Sequence, residues 1–143
     1  MKIAIAADHG GYELKEKIKK YLASKGHKVE DFGAKKFVKK DDYPDFGLPA
    51  AKSVGKGKNE TGILVCNTGI GMSIAANKVK GVRAALVMSE ELARTARSHN
   101  NANVIALPGN GYIGEKKVLK IVDAFIEARF EGGRHLRRVK KIE

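Results

Sequence analysis

Five short runs rich in apolar residues punctuate the chain, at Ile3 to Ala7, Lys28 to Phe32, Gly62 to Cys66, Arg83 to Val87 and Val104 to Leu107. Stretches with apolar positions at helical spacing separate them. Strands that alternate with helices in this way form a parallel sheet covered on both faces. The second run is the thinnest strand, because only Val29 and Phe32 are apolar in it. Tyr12, Leu14, Ile18, Tyr21 and Leu22 carry the first helix, and Gly26 is placed to end it. Asp41-Asp42-Tyr43-Pro44 marks a turn, after which a weaker helix runs toward Val54 despite Pro49. A helix over Ser89 to Arg97 is capped by Ser89, with Glu90 and Glu91 where the helix dipole favours acids. The last helix spans about Glu115 to Ala128, with Val118, Ile121, Val122, Phe125 and Ile126 as its apolar stripe.

The turn after the third strand reads Cys66-Asn67-Thr68-Gly69-Ile70-Gly71-Met72-Ser73. Its glycines let backbone amides approach a ligand, and the following helix offers unpaired N–H groups at its positive end, so an anion is stabilised there. The same field favours the thiolate of Cys66. A base able to work at carbon, beside a cradle for negative charge, points to chemistry through an oxyanion. In open parallel sheets ligands gather beyond the carboxyl ends of the strands. Asp8-His9-Gly10-Gly11 and Pro108-Gly109-Asn110-Gly111 fall there too. Ser98-His99-Asn100-Asn101 ends the helix after the fourth strand, and whether it reaches the same edge depends on packing.

Composition narrows the class. With 143 residues, 43% hydrophobic and 31% charged, the chain suits one globular domain, 1–143, and has no room for a second. No apolar stretch approaches the roughly 18 residues of a membrane span, and Met1 to Ile5 enters a strand rather than a signal peptide, so no membrane partner and a cytoplasmic location are expected. One cysteine excludes an intrachain disulfide, and the four histidines show no paired ligand spacing, so no metal is indicated. The net charge of +12 invites a nucleic-acid reading. Ten lysines, however, lie between Lys15 and Lys40 with only Glu16, Glu30 and Asp31 as acidic company, which reads as a solvated lysine-rich face. No motif of a nucleic-acid-binding module accompanies it.

Taken together, Asp8-His9-Gly10, Asp42-Tyr43-Pro44, Cys66 to Lys78, Arg94 to Asn103 and Glu131-Gly132-Gly133-Arg134-His135 make the chain resemble type B ribose-5-phosphate isomerases, in the wider family that includes galactose-6-phosphate isomerase subunits. The resemblance runs nearly end to end. It implies a single-domain Rossmann-like three-layer sandwich with a five-stranded parallel sheet, and interconversion of ribose 5-phosphate and ribulose 5-phosphate through an enediolate without metal or organic cofactor. It implies His99, with Asp8, for opening the furanose ring, Cys66 as the base between C2 and C1, and Thr68 for hydroxyl protons. Amides from Asn67 through Gly69 and Ile70 to Gly71 would hold the enediolate oxygen. Asn100 would touch sugar hydroxyls, and His9, Arg134 and Arg138 would take the phosphate. It further implies a homodimer, or a dimer of dimers, with the site shared between subunits and a C-terminal arm over about 129–143 that is poorly tied down alone.

Two departures stand out: Asn110 lies near a place where many relatives carry arginine, and Asn67 stands where glycine is common. Both leave open a six-carbon substrate such as allose 6-phosphate, or a non-catalytic sugar-phosphate-binding protein. Simpler readings stand beside the sharp ones. Cys66 could be a small buried hydrophobe, Asp8 a helix cap, and His27 and His135 ordinary surface or capping histidines.

Overall fold

The computed structural model describes residues 1–143. Its strands are β1 (Lys2–Ala7), β2 (Lys28–Asp31), β3 (Thr61–Cys66), β4 (Ala84–Leu86) and β5 (Val104–Pro108). Its helices are α1 (Tyr12–Ser24), α2 (Tyr43–Gly55), α3 (Ile70–Asn77), α4 (Glu90–Asn100), α5 (Glu115–Glu127) and α6 (Gly133–Val139). The five strands form one parallel sheet in the order β2-β1-β3-β5-β4. β1, β3 and β5 lie inside it and are almost wholly buried, which is why they read as continuous apolar runs. β2, at one edge, alternates exposed and half-buried positions, so only Val29 marks it strongly.

Successive side chains of an inner strand face opposite layers. Ile3, Ile5, Ile63, Val65, Ile105 and Leu107 pack on α1, α4 and α5. Ala4, Ala6, Leu64, Cys66, Val104 and Ala106 face α2 and α3. The second layer is built from smaller residues, and Ala50, Ala51 and Ala76 let α2 and α3 lie close to the sheet.

Three expectations change. The segment Asp41 to Pro44 is not a separate turn: Asp42 is the extended residue before α2, and a proline in the first turn costs no hydrogen bond. α4 continues to Asn100 and ends on Asn101 at φ 48°, a left-handed conformation asparagine tolerates. The chain after α5 is tied down. Gly132 and Gly133, at φ 68° and 52°, turn it back so that α6 packs on α4 and buries His135 and Val139.

Lys15 departs from the solvated face assigned to the lysine-rich segment. It is wholly buried, and its Nζ donates to both carboxylate oxygens of Asp31, at 3.0 and 2.9 Å, and to the Ala34 carbonyl at 2.7 Å. The bond to Ala34 links this pair to the carboxyl edge of the sheet, because the Ala34 amide donates to the carbonyl of Ala7, next to Asp8. Lys15 and Asp31 therefore anchor the crossover after β2 against the end of β1.

Lys15→Ala leaves the Asp31 carboxylate with Lys19 and the Gly33 amide but without its buried cation, and empties the space of a wholly buried side chain, so it should destabilise the fold by about 3 kcal/mol, read as a lower urea midpoint. Burial works against the charge on Asp31, but hydrogen bonds from Lys19, the Gly33 amide and Lys15 outweigh it and hold the carboxyl down to about 2, from an ordinary 3.8. A depressed folded value contributes stability that is complete above the ordinary value and is lost as protons return. Stability should fall as pH drops from about 4 to 2, and Asp31→Asn should lose that component of the acid transition, at a cost in stability at neutral pH.

Candidate active site

Three turns meet at the carboxyl edge of the sheet, and they meet backbone to backbone. A Cβ on Gly11 would lie 2.6 Å from the Val65 carbonyl oxygen, and one on Gly10 would lie 2.8 Å from the Asn67 nitrogen. The Gly109 amide donates to the Cys66 carbonyl at 2.8 Å, joining the turn after β5 to the end of β3. Gly69 precedes α3 at φ 77°, and a side chain there would strike Leu86. Around this turn the Gly69 amide donates to Cys66 Sγ at 3.2 Å and the Ile70 amide to Thr68 Oγ1 at 3.3 Å. The amides of Asn67, Thr68, Gly71 and Met72 donate to no group of the chain. Those free donors at a helix N-terminus form a group of amides suited to an anion.

The thiol is 4% exposed and belongs to the layer of Met72 and α2. The ring of Tyr43 covers this side of the turn, so close to Gly71 that a Cβ there would lie 2.6 Å from its Cζ. On the other side opens a cleft of about 480 Å³, bounded by Asp8, His9, Phe37, Asn67 and Asn110. Asn67 is exposed and lines that cleft, while Cys66 does not.

Asp8, Glu13 and the His9 imidazole line the cleft, and Asp41 is hydrogen-bonded to His9. His9 donates its backbone amide (2.8 Å) and bonds through Nδ1 (2.7 Å) to the same oxygen of Asp41. That bond, followed by the charges of Asp8 and Asp41, raises the His9 pKa against a smaller opposing effect of burial and favours the imidazolium. Asp8 is 5% exposed, and burial raises its carboxyl above the usual range, against the pull of His9 and of the Gly10 and Gly11 amides. One oxygen of Asp8 and one of Asp41 are buried without a partner. Asp8 does not cap α1, whose first residue follows Gly11 without a side-chain cap.

His99, Asn100, Arg134 and Arg138 are elsewhere. α4 starts beyond the carboxyl end of β4 and runs back, so its last residues reach the amino edge of the sheet, roughly 15 Å along the helix from where it began. The position is fixed by Arg83, ahead of β4, whose Nε donates to the Asn101 carbonyl at 3.0 Å. One chain thus carries two separated groups of candidate residues. Asp8, His9, Cys66 and the free amides lie at one edge, and His99 with Asn100 at the other. Arg134 and Arg138 sit four residues apart on the exposed side of α6.

His135 is not a surface histidine. It is 7% exposed and its ring lies on that of His99, centroids 4.2 Å apart and planes 11° from parallel. Glu131 Oε2 stands 3.5 Å from His135 Nε2 and 3.8 Å from His99 Nε2. These three side chains are near enough for a metal, yet stacked imidazoles hold their lone pairs in two separate, nearly parallel planes, which do not share one ion in both. In the second such group, Asp8, His9 and Asp41, the Nδ1 of His9 is already engaged by Asp41. Sequence reasoning missed Asp41, Phe37, Tyr43 and Glu131 as members of these clusters. Asp41 adjoins the Asp42-Tyr43-Pro44 motif and Tyr43 belongs to it, but only the folded crossover shows that one meets His9 and the other Gly71.

Comparison with known proteins agrees with this architecture. Residues 3–142 match the Ribose/Galactose Isomerase family. The chain is 50% identical to a probable ribose-5-phosphate isomerase B of Mycoplasma genitalium, over 98% of this chain and 92% of that protein. The ribose 5-phosphate isomerase structure from Thermotoga maritima superposes with a TM-score of 0.95 at 51% identity, covering 99% of this chain and 96% of that one. Ribose-5-phosphate isomerase B from Mycoplasma genitalium, solved with bound ribulose-5-phosphate, gives a TM-score of 0.95 at 49% identity, covering 99% and 93%. A fold, a thiol-bearing amide loop and a likeness that all extend along the whole chain lead to one conclusion: the protein belongs to the ribose/galactose isomerase family and is a sugar-phosphate isomerase.

Proposed function

We propose that the chain interconverts ribose 5-phosphate and ribulose 5-phosphate, with Cys66 as the carbon base. The observation that carries the reading is the loop itself: a nearly buried thiol holding one amide, among four amides that have no acceptor. Once the furanose is open, the Cys66 thiolate takes the proton from C2, and the electrons move through C1 onto the aldehyde oxygen. The resulting enediolate is stabilised by the free amides, which are already oriented before charge develops. Thr68 passes a hydroxyl proton between O2 and O1, and the Cys66 thiol returns its proton to C1, giving the ketose and the original thiolate.

Ring opening needs a proton delivered to the ring oxygen as the C1–O bond breaks and one removed from the C1 hydroxyl. Asp8, its carboxyl raised by burial, is one group for this work. His99 is the other, and it is supplied by a second copy of the chain. Two observations support that arrangement. His99 and Cys66 lie at opposite edges of one chain, and Ile70, Ile74, Leu86, Met88 and Leu92 form an exposed apolar face beside the loop, with Leu86 against Gly69. A two-fold contact through this face would bring the partner's α4 to the loop and the partner's α6, with its arginines, to the phosphate. His9 is the phosphate group contributed from within the chain.

Cys66→Ala should lower turnover of ribose 5-phosphate about 1,000-fold or more with the oligomer intact. Turnover of six-carbon aldose phosphates instead would move the substrate, and no turnover of either by the unmodified protein would overturn the reading. Mixing inactive Cys66→Ala with inactive His99→Asn tests the sharing. Random dimers with a shared site regain roughly one quarter of the activity, because half of them hold one intact site of two. A site within one chain regains none.

Since Asp41 raises His9, affinity for the phosphorylated sugar should weaken as pH climbs past that raised value. Asp41→Asn should shift the weakening to lower pH, so that the KM of the variant relative to the unmodified protein is larger on the alkaline side of the profile than on the acid side.

A further inference from the structure

We infer that His135, together with Glu131, is a positioning residue that holds the His99 imidazole in the orientation from which it acts on the sugar ring; this rests on the reading of His99 as the ring-opening group. His99 is the penultimate residue of α4, its side chain is 40% exposed, and neither ring nitrogen makes a hydrogen bond within the chain. An imidazole so placed has several rotamers open to it, and a misplacement of about 1 Å in a reacting group can cost on the order of a hundredfold in rate.

The segment after α5 removes that freedom. The Glu131 amide donates to the Ser98 carbonyl at 3.0 Å, so the chain is bonded to the last turn of α4 directly beneath His99. Gly132 and Gly133 then turn α6 so that the buried His135 lies flat on the His99 ring at 4.2 Å. One face of His99 is thereby fixed, while the Glu131 carboxylate stands within 4 Å of the Nε2 atoms of both rings.

The choice of side chains suits a ring that gains and loses a proton. Burial, then the neighbouring His99, push His135 below the usual imidazole range, so the stacked partner stays neutral and does not repel a protonated His99. Glu131 supplies the compensating negative charge.

The test separates ring opening from proton transfer at carbon. Ribose 5-phosphate must be opened before Cys66 can act, whereas ribulose 5-phosphate is acyclic, so exchange of its C1 proton with deuterated water reads the Cys66 step alone. In His135→Ala, conversion of ribose 5-phosphate should fall about 10- to 100-fold in kcat, with KM and C1 exchange within about threefold of the unmodified protein. His135→Phe, which restores a flat ring without titrating, should recover most of the loss. Equal loss of both reactions in a folded oligomer, or no loss of either, would overturn the inference. Failure of the unmodified protein to exchange the C1 proton, or exchange that survives Cys66→Ala, would instead overturn the reading on which it rests.

Discussion

Close approach of backbone to backbone at the carboxyl edge is the constraint on which the site depends. Three inner strands lie about 4.8 Å apart, as in any sheet, and the turns that leave them must cross within that spacing. No side chain fits between the Gly10–Gly11 and Asn67 segments, or between Gly109 and the start of α1. The absence of side chains there is what lets the β3 turn stand upright with its amides free, and what sets Asp8 and Asn67 across a narrow cleft from each other. The hydrogen bond from Gly109 to the Cys66 carbonyl closes the arrangement from the β5 side.

The second support is electrostatic and lies one layer out. Asp31 gathers Lys15 and Lys19, and through Ala34 this cluster fixes the crossover that delivers Asp41 to His9. A buried ion cluster of this kind contributes little net stability compared with an apolar replacement, since desolvation offsets attraction. Its value is in position. The same crossover carries Phe37, whose ring meets those of His9 and Tyr12 edge-on at 6.5 and 6.4 Å, so charge and aromatic contacts together seat the loop over the cleft.

The parts legible in the sequence are those whose pattern is local. The apolar runs of β1, β3 and β5 and the stripes of α1 and α5 declare themselves because each side chain answers to its own element. The turn from Cys66 to Ser73 is legible for the same reason, and the resemblance across the motifs identified the family. What escaped is long-range. Lys15 sits at a position of α1 that faces inward, and its pairing with Asp31, sixteen residues on, joins Glu16 and the Ala34 carbonyl in making burial tolerable. His135 follows two glycines in a basic tail, where nothing local tells that the chain doubles back onto α4. The separation of His99 from Cys66 follows from the direction in which α4 returns, which depends on which edge of the sheet it leaves.

That direction has a consequence for how activity arises in time. α4 spans the depth of the sheet, and no movement short of unfolding it could carry His99 to the edge where Cys66 lies. Under the shared-site reading a newly made chain is folded yet chemically silent, and reaction begins only at encounter. The rate at which catalytic capacity emerges then follows the square of the chain concentration, and dilution would extinguish it without denaturing anything. The reach of one helix would convert an ordinary enzyme into one that reports its own abundance.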